Sequence, residues 1–152
     1  MSQLNSMEDF QRDISYRLLK GADGTASLTA TMRDRFHDVE VKVVVDAATL
    51  EIISASAEFR KSPTAECGDA SARLLGLCGF VVGKGLQRKL MEVLGGGEGC
   101  GNLRTLLIGL LPLALNLRAA AGITDEKEML AAIHEQLRGT CAGYQAPPPG
   151  GE

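Results

Sequence analysis

The stretch Val39-Glu-Val-Lys-Val-Val-Val45 decides the fold class. It is β-branched, alternates apolar with charged residues at first and then runs continuously apolar, which is the pattern of a strand with one face in a core. Working outward, Asp46-Ala-Ala-Thr49 reads as a turn into a second strand over Leu50 to Phe59, with Ile53, Ala55, Ala57 and Phe59 on one face. On the other side, Ala26 to Met32 alternates weakly and is rich in Ser and Thr. Gly21-Ala-Asp-Gly24 separates it from a further strand over Phe10 to Leu19. Connections this short require antiparallel neighbours, because a parallel pair needs a crossover of a dozen residues or more.

From Ser62 the period becomes helical. Ser62-Pro63 opens a helix that runs to about Cys78, since Ser caps and Pro loses nothing at the first helical position. A break over Gly79 to Gly85 precedes a second helix through Leu94, and Gly95-Gly-Gly-Glu-Gly99 precedes a third over Cys100 to Ala121, kinked at Pro112. Thr124 caps a fourth, with Met129, Leu130, Ile133 and Leu137 as its apolar stripe. Strands first and helices afterwards predict an α+β domain. Its antiparallel sheet of three to four strands (residues 10–60) is covered on one face by about four helices (residues 63–138). Residues 1–9 read as a flexible start, 10–144 as one domain, and 145–152, with Pro147-Pro-Pro-Gly150, as a disordered tail.

Composition narrows the function classes. The chain has 152 residues, 45% hydrophobic and 23% charged, a globular balance large enough to fold without a staple. Sixteen Lys and Arg against 19 Asp and Glu give a net charge of −3, aromatics are only 4%, and Trp is absent. A basic footprint and stacking rings are both missing, which argues against nucleic acid as a partner. The longest apolar run, Thr105 to Leu115, contains Gly109 and Pro112 and is shorter than the roughly 20 residues of a bilayer span, so no membrane is expected. The first residues show no basic cluster followed by an apolar stretch. The expectation is therefore a cytoplasmic protein with Cys67, Cys78, Cys100 and Cys141 as free thiols.

The chemistry is sought at those thiols. Cys67 falls in the first turn of one predicted helix and Cys100 at the start of another, flanked by Gly99 and Gly101. Unpaired N–H groups and the positive end of the helix dipole gather there and favour thiolate. His37 precedes the strand Val39–Val45, at the loop edge of the sheet, with Asp38 placed to orient its ring. Cys78 reads as core packing and His134 as a solvated residue beside Glu135. Gly83-Lys-Gly85 and Gly95–Gly99 do not make a phosphate loop, because the Walker pattern needs a strand before it and Lys-Ser or Lys-Thr after it.

These residues carry two resemblances. Phe36-His-Asp38, Ser62-Pro63 with Cys67, Leu74-Leu-Gly76, Gly99-Cys-Gly-Asn-Leu103 and Gly139-Thr-Cys141 with Tyr144 resemble a bacterial family of uncharacterised domains, over Arg12 to Tyr144. In that family the Gly99 stretch commonly reads Gly-Cys-Thr-His-Leu, so Asn102 stands where a histidine is usual. The resemblance implies that His37, Cys67, Cys100 and Cys141 belong to one pattern. The order of His37-Asp38 before a strand, Cys67 after the next strand and Cys100 before a helix is also similar to iron–sulfur cluster scaffold proteins of the NifU/IscU type. There His37 replaces a thiol, and Gly99-Cys100 a His-Cys pair.

Three functions follow as expectations. The first is a metal-binding or carrier domain holding zinc or an iron–sulfur cluster on His37, Cys67 and Cys100, with Cys141 as a further ligand. The second is a thiol enzyme or redox protein with Cys100 as nucleophile and His37 as base. The third is an interaction domain with structural cysteines, binding a protein partner or self-associating as a homo-oligomer through Leu106, Leu107, Leu110 and Leu111.

Overall fold

Four strands form one antiparallel sheet in chain order: β1 (Asp13–Lys20), β2 (Thr25–Arg33), β3 (Asp38–Asp46) and β4 (Ile52–Lys61). The computed structural model describes residues 7–119 and 121–145. The expectations for residues 1–6 and 146–152 lie outside the described residues. Alternation sets the inner face. Ala26, Leu28, Ala30 and Met32 of β2 and Val39, Val41, Val43 and Val45 of β3 are all fully buried, with Leu28 opposite Val43 and Ala30 opposite Val41. The opposite face carries Ser27, Thr29, Thr31, Glu40 and Lys42 and stays in contact with water.

Two strand details depart from the sequence reading. β1 starts at Asp13 rather than Phe10, whose ring instead stacks on Phe36 at 5.9 Å. In β4, Val44 pairs with Ser54 but Val45 with Ile52, a register irregularity that shifts the alternation by one. Ile52 is therefore buried, Ile53 is half exposed, and the inward phase resumes at Ala55 and Ala57.

The first helical stretch is a 3-10 segment, Ala65–Leu77, which buries Ala70, Leu74 and Leu77; Thr64, not Ser62, holds its cap position. Cys78 is exposed, against the core role expected of it. Leu77 takes the inward place, and the chain then turns away through Gly79 at φ +91°. Next come α1 (Leu86–Leu94) and α2 (Gly101–Leu110). Pro112 interrupts the third predicted helix, giving a 3-10 turn over Leu111–Ala114 and then a short α3 (Leu115–Ala119). Leu106, Leu107, Leu110 and Leu111 are fully buried against the sheet and cannot form the self-association face expected of them.

In α4 (Glu126–Gln136) the cap is Asp125, one residue beyond Thr124, and its carboxylate accepts the Glu128 amide at 3.0 Å. His134, expected in solvent, is only 4% exposed, with the Tyr144 ring edge-on at 5.5 Å, and Leu130 points outward in its stead. No helix among the described residues is long and apolar enough to cross a membrane.

Candidate functional site

The start of α2 lies where the chemistry-bearing residues meet. Leu94, the last residue of α1, anchors it: the Leu94 carbonyl accepts the Cys100 amide at 3.1 Å and the Arg104 guanidinium at 2.6 Å. Arg73 reaches the neighbouring Val93 carbonyl at 2.7 Å, so two cations close the carbonyl end of α1. The loop back is tight enough that a Cβ on Gly99 would strike the Leu94 carbonyl. That approach delivers Cys100 to the N-cap position of α2, where its side chain makes no capping bond.

On one side of this start is a polar knot. The turn between β2 and β3 places Asp34 so that its Oδ1 accepts the amides of Phe36 and His37, both at 2.8 Å, and contacts His37 Nδ1 at 3.0 Å. Oδ2 pairs with Arg12 Nε at 2.7 Å. The Asp34 side chain is completely buried. Burial pushes its carboxyl toward the neutral form, but the Phe36 amide, the Arg12 guanidinium and His37 outweigh that and hold it ionised well below the usual carboxylate range. The remaining imidazole nitrogen, Nε2, lies 3.1 Å from Asn102 Nδ2 in the first turn of α2. Arg12 Nη1 donates to Asn102 Oδ1 at 3.5 Å and so fixes which way that amide points. With Nδ1–H donated to Asp34, Nε2 is the acceptor, and both ring nitrogens are engaged inside the knot.

On the other side are thiols. Cys67 and Cys100, both partly buried, line one cleft of about 480 Å³ together with Glu66, Asp69, Arg73 and Glu98. The Cys67 sulfur is 3.4 Å from the Thr64 hydroxyl. Cys100 also lines a second, more open cleft of about 620 Å³ between α1 and α2, with Leu90, Met91, Asn102, Thr105 and Ile108. It is thus the residue the two clefts have in common.

The four expected ligands are only partly brought together. Cys67 and Cys100 share a cleft; His37 reaches the same helix start through Asn102 and bonds to neither thiol. Cys141 is exposed beyond α4, at the head of a 3-10 turn over Ala142–Tyr144. Among the described residues no three His, Cys, Asp or Glu side chains form a group able to hold a metal ion. Asp38 does not orient the His37 ring. It sits at the first position of β3, 3.5 Å from both Arg33 and Arg60 on the open sheet face. The sequence reading points to neither Asp34 nor Arg12 as a site residue, and to Asn102 only as the residue standing where the resembled family usually has a histidine. The spacing Asp34-Arg-Phe-His37 carried a signal, since an Asp side chain that caps the amides two and three residues on also comes under a histidine at the third. Arg12 and Asn102 are 22 and 68 residues from Asp34 and left no local trace.

Residues 10–116 match the family model described as protein of unknown function (DUF2889), which spans most of the chain, and the chain belongs to that family. No curated protein and no solved structure matches it, so the similarity to iron–sulfur scaffolds rests on the order of residues alone.

Proposed function

We propose that this chain is a small thiol-based binding domain whose site is the cleft lined by Cys67 and Cys100. One observation carries the reading. Of four free cysteines, the two that are partly buried open into the same cleft, while Cys78 and Cys141 are exposed elsewhere. Two thiols opening into one cleft suit a ligand that takes both sulfurs, either a thiophilic centre or a disulfide undergoing exchange. In exchange, one thiolate attacks the ligand disulfide and expels a thiolate. The second then attacks the mixed disulfide, closing a Cys67–Cys100 bond and releasing the other half. The first-turn N–H groups of α2, next to Cys100, offer hydrogen bonds to charge developing there.

Phenylarsine oxide, which condenses with two thiols and releases water, tests the pair. One equivalent should protect both Cys67 and Cys100 from iodoacetamide and leave Cys78 and Cys141 reactive. Protection of neither, or of Cys78 or Cys141 in their place, would refute the assignment.

A second reading, zinc or an iron–sulfur cluster, is favoured by the carboxylates of Glu66, Asp69 and Glu98 in the same cleft. It requires those side chains to move in, and Cys141 and His37 are not needed for it. Cobalt(II) titration tests it: a sulfur-to-cobalt absorption band lost in both Cys67→Ser and Cys100→Ser supports it, and no band rejects it.

A further inference from the structure

The two edges of the sheet are treated differently. Along the start of β4, residues 79–82 lay backbone bonds: Ile52 N–H donates to the Phe80 carbonyl at 2.8 Å, and the Gly79 and Val82 amides donate to Ile52 and Leu50 at 2.9 and 3.0 Å. β1 has no such cover. It pairs with β2 through eight consecutive residues without a bulge, and among the described residues no backbone bond reaches its outer side. Its guards lie toward its ends: it has no Pro, and the one charge on the helix-side face is Lys20, opposite Ala26 at the last position, so the stretch Ile14 to Leu18 carries none there. On the helix-side face Ile14 and Tyr16 remain 38% exposed, although their partners on β2, Met32 and Ala30, are fully buried. An apolar strip thus continues to the rim of the sheet, where α2 covers it only in part, with Gly109 against the Tyr16 ring.

We propose that β1 pairs antiparallel with β1 of a second copy of this chain, about a two-fold axis at Ser15, joining the two sheets into one of eight strands. Charge selects both the occupant and the register. In an antiparallel pair, opposed residues share a face, so only alternate registers are allowed. The register centred on Ser15 sets Asp13 of each copy opposite Arg17 of the other on the open face, and Ile14 opposite Tyr16 on the helix side. Arg17 has no ion pair among the described residues, and Asp13 has only Gln11 on its carboxylate, at 2.9 and 3.2 Å. The neighbouring registers are worse. Centring on Ile14 or on Tyr16 sets Arg17 opposite Gln11 or Ser15 and leaves it without a carboxylate, and centring on Arg17 sets two guanidinium groups against each other.

Light scattering on the full chain under reducing conditions should show a dimer. Asp13→Arg and Arg17→Asp should each raise its dissociation constant at least about tenfold, and the double exchange should return it to within about threefold. Ser15→Cys should form a covalent dimer on mild oxidation with diamide, faster than the natural chain does. The proposal is overturned by a monomer at every concentration up to about 100 μM, by a dimer indifferent to both single reversals, or by Ser15→Cys cross-linking no faster than the natural chain. Should a charge reversal fail to fold, the Ser15→Cys result decides by itself.

Discussion

Two polar regions flank the start of α2, and they are built on opposite principles. In the knot of Arg12, Asp34, His37 and Asn102, both carboxylate oxygens and both imidazole nitrogens have partners. In the cleft of Cys67 and Cys100, the only hydrogen-bond partner of either sulfur among the described residues is the Thr64 hydroxyl, and the space around them is open. A saturated, buried network ties elements together: here it fastens the β2–β3 turn and the residues before β1 to α2. An unsaturated, accessible pair of nucleophilic atoms is where a ligand can bind. The contrast teaches that an Asp–His pair, the residue types most suggestive of catalysis, can be saturated within a packed network, while the plainer, half-buried thiols keep open space beside them.

The comparison breaks if the knot proves dispensable. Asp34→Ala leaves the Arg12 guanidinium, the His37 ring and two amides without their shared acceptor, and should cost about 3–5 kcal/mol in urea unfolding. A loss under about 0.5 kcal/mol would mean the network holds nothing.

The same carboxylate sets a pH dependence. Because the Asp34 pKa in the folded state is depressed, its contribution is fully present above the unfolded value of about 3.9 and fades as pH falls below it. In that window the unfolded chain binds more protons, so stability rises with pH. Asp34→Asn should flatten the acid limb of a plot of unfolding free energy against pH; an unchanged limb would assign it to other groups.

Asn102→Ala removes one acceptor and one donor at the edge of the knot, and about 1 kcal/mol of stability should go with it. Its thiol labelling should match that of the natural chain, and a change in Cys100 reactivity would instead couple the two regions. The smallest stability effect belongs to the cleft: Cys67→Ser and Cys100→Ser should each cost under about 1 kcal/mol, because neither thiol is fully buried. A larger loss would make these cysteines packing residues.

The sheet was legible because its signals are local. β-Branched alternation in Val39–Val45 and turn residues every ten or so positions suffice to order four strands. What escaped depends on irregularity or on distance. The phase slip between Ile52 and Ser54 is a backbone event with no residue signature of its own, and the 3-10 winding of Ala65–Leu77 is invisible to a pattern that reports only apolar spacing. The positions of Cys67 and Cys100 at the starts of helical segments were legible, since a cap position can be read from glycines and the onset of periodicity. The sequence groups His37 with the thiols because nothing in it reveals that Asn102 takes the free nitrogen. Cys141 is grouped with the others by family pattern, and it is exposed beyond α4, outside the residues lining the cleft of Cys67 and Cys100.

Dibromobimane becomes brightly fluorescent when it bridges two neighbouring thiols, and it reports most directly on whether Cys67 and Cys100 form one site. One bridge per folded chain is predicted, abolished by either Cys67→Ser or Cys100→Ser and untouched by Cys78→Ser and Cys141→Ser. A chain that gives no bridge, or one whose bridge survives loss of either cleft thiol, contradicts the account.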